Sequence, residues 1–129
     1  MPIPEVADRI YSLEAKRVWV AGHKGMLGSA LLRRLKDTGA LLLTADREAV
    51  DLRRQVEVKQ WMRHNQPEAI FVAAATLGGI EVNRTQPATF LYDNLMIAAN
   101  VIHSAAESSV SRLIYLGSSC FYPRLSLYL

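Results

Sequence analysis

The sequence predicts an α/β fold, a doubly wound parallel sheet with strand order 3-2-1-4. Three observations carry that prediction. Apolar runs of strand length alternate with helical patterns from Arg17 to Leu116, and such alternation builds parallel sheets with right-handed crossovers. The strand runs are continuously apolar, as strands buried on both faces should be. A glycine-spaced turn joins the first strand to the first helix.

The elements follow in order. Residues 1–15 resemble neither a strand nor a well-capped helix and are read as an extension without an assigned role. Arg17–Ala21 is the first strand. Residues 26–37 form a helix whose inner face is Met26, Leu27, Ala30, Leu31 and Leu35, with Gly39 as C-cap. Residues 40–45 are the second strand. Residues 53–65 read as a helix with Val56, Trp61 and Met62 as core contacts, and Pro67 marks its boundary. Residues 69–74 are the third strand. A long helix starts at Pro87, with Thr85 as a candidate cap, and runs to about Ser108 through Phe90, Leu91, Leu95, Ala98, Ile102 and Ala105. Residues 112–116 are the fourth strand. In the 3-2-1-4 order the carboxyl ends of strands one and four adjoin. The glycine turn and the segment after Leu116 then share the crevice where ligands of open α/β sheets bind.

The bulk composition narrows the function. Half the residues are hydrophobic and 21% are charged, a globular and not a disordered balance. The net charge of +3 comes from scattered cations, with only Arg33-Arg34 and Arg53-Arg54 as doublets, which argues against a nucleic-acid patch. The single cysteine, Cys120, excludes an internal disulfide and fits a reducing compartment. No run approaches the ~20 apolar residues of a membrane span, and no signal peptide is recognisable. A cytoplasmic protein is the simplest expectation.

The turn Gly22-His23-Lys24-Gly25-Met26-Leu27-Gly28 has the spacing G-x-x-G-x-x-G between a buried strand and a helix. In dinucleotide sites of Rossmann type one glycine permits the turn. Another admits the pyrophosphate to the backbone, and a third lets helix pack on strand. The helix N-terminus then offers N–H groups and a positive dipole end to phosphates. Choice of cofactor depends on the second strand. An acid about 20 positions past the glycines would bond a ribose 2′-hydroxyl, and Asp46 is placed to do so. A cation there would pair with a 2′-phosphate, and Arg47, assisted by Lys24, is equally placed. Asp51 and Leu52 either flank the adenine or begin the next helix. After the fourth strand, Leu116-Gly117-Ser118-Ser119-Cys120 presents small polar groups at a strand end. Ser118 or Ser119 could bond a substrate carbonyl. Cys120 is either an acid or base with a tuned pKa or simply a buried thiol.

With these segments in hand, the chain resembles the extended short-chain dehydrogenase/reductases, and within them the NADPH-dependent GDP-L-fucose synthases (GDP-4-keto-6-deoxymannose epimerase-reductases). The resemblance rests on Ala21 through Ala30, on Ala73-Ala74-Ala75 with Gly78-Gly79-Ile80, on Asn94, and on Leu116 through Cys120 with Tyr122-Pro123. It implies that residues 16–123 are part of an NAD(P)-binding Rossmann domain. Gly22, His23, Lys24, Gly25, Met26, Leu27 and Gly28 would hold the NADPH pyrophosphate, and Arg47 the 2′-phosphate. Asp51, Leu52 and Ala74 would complete the cofactor site, and Leu116, Gly117 and Ser118 would pass the nicotinamide. Ser118 would bond the 4-keto oxygen, and Cys120 would move protons during epimerisation. The implied substrate is a GDP-sugar, and intact relatives form homodimers through the helix near residues 87–108. No metal, membrane or nucleic-acid partner is implied.

The family's Tyr-x-x-x-Lys pair does not follow Ser118: Tyr122 is followed at the fourth place by Ser126. Residues 124–129 also depart from the family, as a truncated gene, a frameshift or a fragment would explain. The chain alone is therefore expected not to complete the reaction. Two other readings are a non-catalytic NADP-binding half-domain and an epimerase or dehydratase of another nucleotide sugar.

Overall fold

The computed structural model describes residues 10–76 and 80–118. Its elements are β1 (Arg17–Ala21), α1 (Met26–Leu35), β2 (Leu41–Leu43), α2 (Gln55–Asn65), β3 (Ala69–Val72), α3 (Ile80–Thr85), α4 (Pro87–Ala106) and β4 (Arg112–Tyr115). All strand pairs are parallel: β1 with β2 from Arg17↔Leu41, β1 with β3 from Val18↔Ala69, and β3 with β4 from Ala69↔Arg112.

The doubly wound parallel sheet is present, but its order is β2-β1-β3-β4 and not 3-2-1-4. The third strand lies on the other side of β1 from β2. Burial supplies the reason. Val18, Val20, Ala21, Ala69, Ile70 and Val72 are buried, so β1 and β3 need cover on both faces and take the centre. Leu41 of β2 is 58% exposed, and β4 alternates between exposed and half-buried positions, as edge strands do. Residues 44–54 form no strand that could extend the β2 side.

Alternation along β1 divides the core into two layers. Val18 and Val20 meet Leu31, Leu32 and Leu35 of α1 on one face, joined by Tyr11 and Leu13. Trp19 and Ala21 meet Val58 and Met62 of α2 and Val101 and Ala105 of α4 on the other. Trp19 stacks on Trp61, ring centroids 4.1 Å apart. Residues 10–15, given no role from sequence, tie the amino ends of the strands. Ala15 N–H donates to the Gly39 carbonyl, and the Tyr11 hydroxyl bonds Ser111 between the cations of Lys16 and Arg112.

Several helix expectations change. The inner face of α1 is Gly28, Leu31, Leu32 and Leu35, whereas Met26 (84% exposed), Leu27 and Ala30 point away from the core. Val56 is 65% exposed, and Val58 takes its place beside Met62. Thr85 does not cap the long helix. It ends α3, donating its hydroxyl to the Glu81 carbonyl, and Gln86 caps α4. On α4 the core stripe is Asp93, Ile97, Asn100, Val101, Ser104 and Ala105, leaving Leu91, Leu95 and Ile102 exposed. Gly39 closes the first helix as expected, at φ 74°, after a 3₁₀ turn at Lys36–Thr38. Among the described residues no helix is long and apolar enough to cross a membrane.

Candidate functional site

The carboxyl ends of β1 and β3 open into a crevice of about 360 Å³, floored by Trp19, Ala21 and Ala73-Ala74. Its rim is Gly22, Gly25, Met26 and Leu27 on one side and Arg47, Asp51, Leu52 and Arg53 on the other. A second crevice of about 800 Å³ shares Leu27 and Ala73-Ala74-Ala75 and continues past Asn94 to Leu116, Gly117 and Ser118. The corrected strand order explains this layout. β3 lies between the glycine turn and the end of β4, so the Ala73-Ala74-Ala75 segment bridges them.

The glycines differ in what they do. Gly22 adopts φ +84°, and a Cβ there would stand 2.6 Å from the Ala74 nitrogen. A Cβ on Gly28 would stand 2.1 Å from the Gly22 carbonyl oxygen, so only glycine lets α1 sit on the turn. A Cβ on Gly25 would meet nothing closer than that same oxygen at 3.4 Å. Gly25 is therefore dispensable to packing, and its bareness serves the crevice. Gly25 caps α1 without a side-chain hydrogen bond, and the first turn carries no acid. The N–H groups and positive dipole end of α1 are left for an anion.

The charges sort themselves by partner. Asp46 is held by Lys24 Nζ at 2.8 Å and His23 Nε2 at 3.3 Å. The Lys24 hydrogen bond draws the Asp46 carboxyl below its usual range, and Asp46 raises the lysine in return. His23 and Lys24 thus brace the turn and line neither crevice. Asp51 accepts from Arg53 Nε at 3.0 Å and Nη2 at 2.8 Å, which holds its pKa at about 2. Arg53 Nη1 reaches Asp93 of α4 at 3.2 Å, and the Thr76 hydroxyl donates to the same carboxylate at 3.3 Å. Asn94 then clasps the Thr76 backbone, accepting from its N–H at 2.8 Å and donating to its carbonyl at 3.0 Å. Arg47 makes no hydrogen bond or ion pair among the described residues.

Of the residues singled out from sequence, Gly22, Gly25, Met26, Leu27, Arg47, Asp51, Leu52 and Ala74 line the first crevice. Leu116, Gly117 and Ser118 line the second. Gly28 lies buried beneath the turn. Asp51 does not cap α2, whose N-cap is Arg54. Gly78, Gly79, Ser119, Cys120 and Tyr122-Pro123 lie outside the described residues. The Arg53–Asp93 pair was missed. Its one signal is that Asp93 is the single carboxylate of the α4 sequence. Among the described residues no His, Cys, Asp and Glu cluster could hold a metal ion.

The model of the NAD dependent epimerase/dehydratase family matches residues 18–127. The chain is 49% identical over 115 residues to a GDP-L-fucose synthase of Sinorhizobium fredii, an alignment covering 89% of this chain and 37% of that protein. It is 43% identical over 124 residues to GDP-L-fucose synthase 1 of Arabidopsis thaliana, covering 94% of this chain and 38% of that one. Among solved structures, MlghC, a GDP-mannoheptose C4 reductase from Campylobacter jejuni with NADP bound, superposes at TM-score 0.82 and 35% identity. That match covers 89% of this chain and 37% of MlghC. The chain thus spans somewhat over a third of the length of these relatives.

Proposed function

We propose, since this chain belongs to the NAD dependent epimerase/dehydratase family, that its first crevice binds NADP(H) and that it supplies the cofactor-holding part of an enzyme forming GDP-L-fucose from GDP-4-keto-6-deoxy-D-mannose. The observation that carries the cofactor choice is the assignment of charges. Both acids near the ribose position are engaged, Asp46 by Lys24 and Asp51 by Arg53, while Arg47 faces the same crevice unpaired among the described residues. An unpaired guanidinium suits a 2′-phosphate. The cradle at Gly22 and Gly28, bare at Gly25 and backed by the uncapped α1, suits a pyrophosphate. The sugar assignment is supported by the relatives named GDP-L-fucose synthase at 40% to 49% identity.

The bound dinucleotide would supply a hydride to the sugar ketone. The rest is the chain's own work. Leu116 and Gly117 would form the wall beside the nicotinamide, and the bare Gly117 leaves room for the ring. Ser118 lines the second crevice and would donate its hydroxyl to the 4-keto oxygen. That bond strengthens as negative charge develops there. Cys120, assigned by resemblance, would take and return the proton at a carbon beside the ketone. Enolate delocalisation makes that carbon acidic enough for a modest base. No complete turnover is assigned to this chain by itself.

A fluorescence titration with NADPH beside NADH tests the reading. Saturable binding with NADPH favoured by about tenfold or more is expected, the scale of the single ion pair that NADH, without a 2′-phosphate, does not form. Equal affinity for the two would remove Arg47 from its role. No binding by either would remove the cofactor site.

A further inference from the structure

We propose that Arg53 is a positioning residue that sets cofactor choice, by occupying both oxygens of Asp51 so that Arg47 stays the unpaired cation of the crevice. The inference rests on the NADP(H) reading and deepens it. Arg47, Asp51 and Arg53 line one wall of the same crevice. A turn in which Ala49 and Val50 both donate to the Asp46 carbonyl brings Arg47 and Asp51 together. Arg47 also acts electrostatically on the Asp51 carboxyl. Left alone, Asp51 would be an anion beside Arg47 and beside any phosphate that Arg47 held. It would either neutralise the guanidinium or repel the phosphate.

Arg53 prevents both outcomes. Its Nε and its backbone N–H each reach Asp51 Oδ1 at 3.0 Å, and Nη2 reaches Oδ2 at 2.8 Å. Its third edge is held by Asp93 at 3.2 Å, a carboxylate that α4 buries to 8% exposure. With the fork committed on two sides, Arg53 is not itself free to take the phosphate. Arg47 and Arg53 therefore divide the work: one cation is spent on the wall's own carboxylates so that the other remains for the ligand.

The test compares dissociation constants for NADPH and NADH in the whole chain and three variants. Arg53→Gln is expected to lower the NADPH-over-NADH preference about tenfold while NADH affinity stays within about twofold, as one unmasked charge requires. Arg53→Gln combined with Asp51→Asn is expected to restore the preference, because the freed carboxylate is gone. Asp51→Asn alone is expected to keep or raise it, and a fall there overturns the proposal even if Arg53→Gln does not fold. Equal weakening of both cofactors in Arg53→Gln, no restoration in the double variant, or a fall in preference in Asp51→Asn would each overturn the proposal. A parent chain with no NADPH preference would sink the cofactor reading itself. A preference present in the parent and unmoved by Arg53→Gln would sink only this inference.

Discussion

Gly28 has no room for a methyl group, because the Gly22 carbonyl oxygen occupies the space where a Cβ would stand. Gly25, three residues earlier in the same turn, meets only an ordinary contact. The two positions separate structure from binding. Gly28→Ala is expected to destabilise the fold by about 2 kcal/mol or more, since overpacking against backbone cannot be relieved by a rotamer change. Gly25→Ala is expected to shift stability by less than about 1 kcal/mol while weakening NADPH binding about tenfold, by holding the pyrophosphate off the backbone. Denaturant melts and the same cofactor titration read the pair. Equal losses of stability in both would show that Gly25 is a packing residue after all.

The connection between β2 and α2, residues 44–54, has no strand or helix of its own and is held by charge. Glu57 reaches back from the first turn of α2 to accept from the Asp51 N–H at 2.8 Å, and Arg53 closes the carboxylate of Asp51. This makes the connection sensitive to acid. The Asp51 pKa is depressed to about 2, chiefly by the Arg53 hydrogen bonds. Its folded value lies below its unfolded one, so its contribution is present above about pH 4 and is lost as pH falls towards about 2. Thermal melts across that range are expected to show an acid limb that Asp51→Asn flattens. An unchanged limb would mean that Asp51 is as well stabilised in the unfolded chain as in the folded one.

The molecule as a whole concentrates its chemistry at the carboxyl ends of the strands and its bracing at the amino ends, where Tyr11 lies between Lys16 and Arg112. It also carries an apolar surface that the described residues do not cover. Leu91, Leu95, Ala98 and Ile102 follow one face of α4 and line the wide second crevice with Tyr115 and Leu116. Beside them β4 pairs, among the described residues, with β3 alone. Exposed apolar stripes and open strand edges favour association. Sedimentation of this chain is expected to show concentration-dependent association, which Leu95→Lys with Ile102→Lys reduces without loss of helical signal. A monomer at all concentrations would show that the stripe is not adhesive.

The glycine turn, the helix that follows it and the four strands were legible because each is a local pattern. The spacing of Gly22, Gly25 and Gly28 states a backbone requirement within seven residues, and apolar runs of period two or 3.6 state which faces need burial. The chain by itself thus determined the α/β class, the parallel sheet and the phosphate-suited turn. It did not determine strand order: Ala69–Val72 reads equally well on either side of β1, and only competition for doubly covered central places decided it. The inner face of α1 was misread at Met26 and Leu27 because helical spacing cannot distinguish a core wall from a crevice wall. The pairings of Asp46, Asp51 and Arg53 were likewise closed to sequence, and Arg53 meets Asp93 across 40 positions. Backbone preference acts between near neighbours in the chain. Ion pairing and strand adjacency depend on which distant groups folding brings within reach, and those choices belong to the tertiary structure.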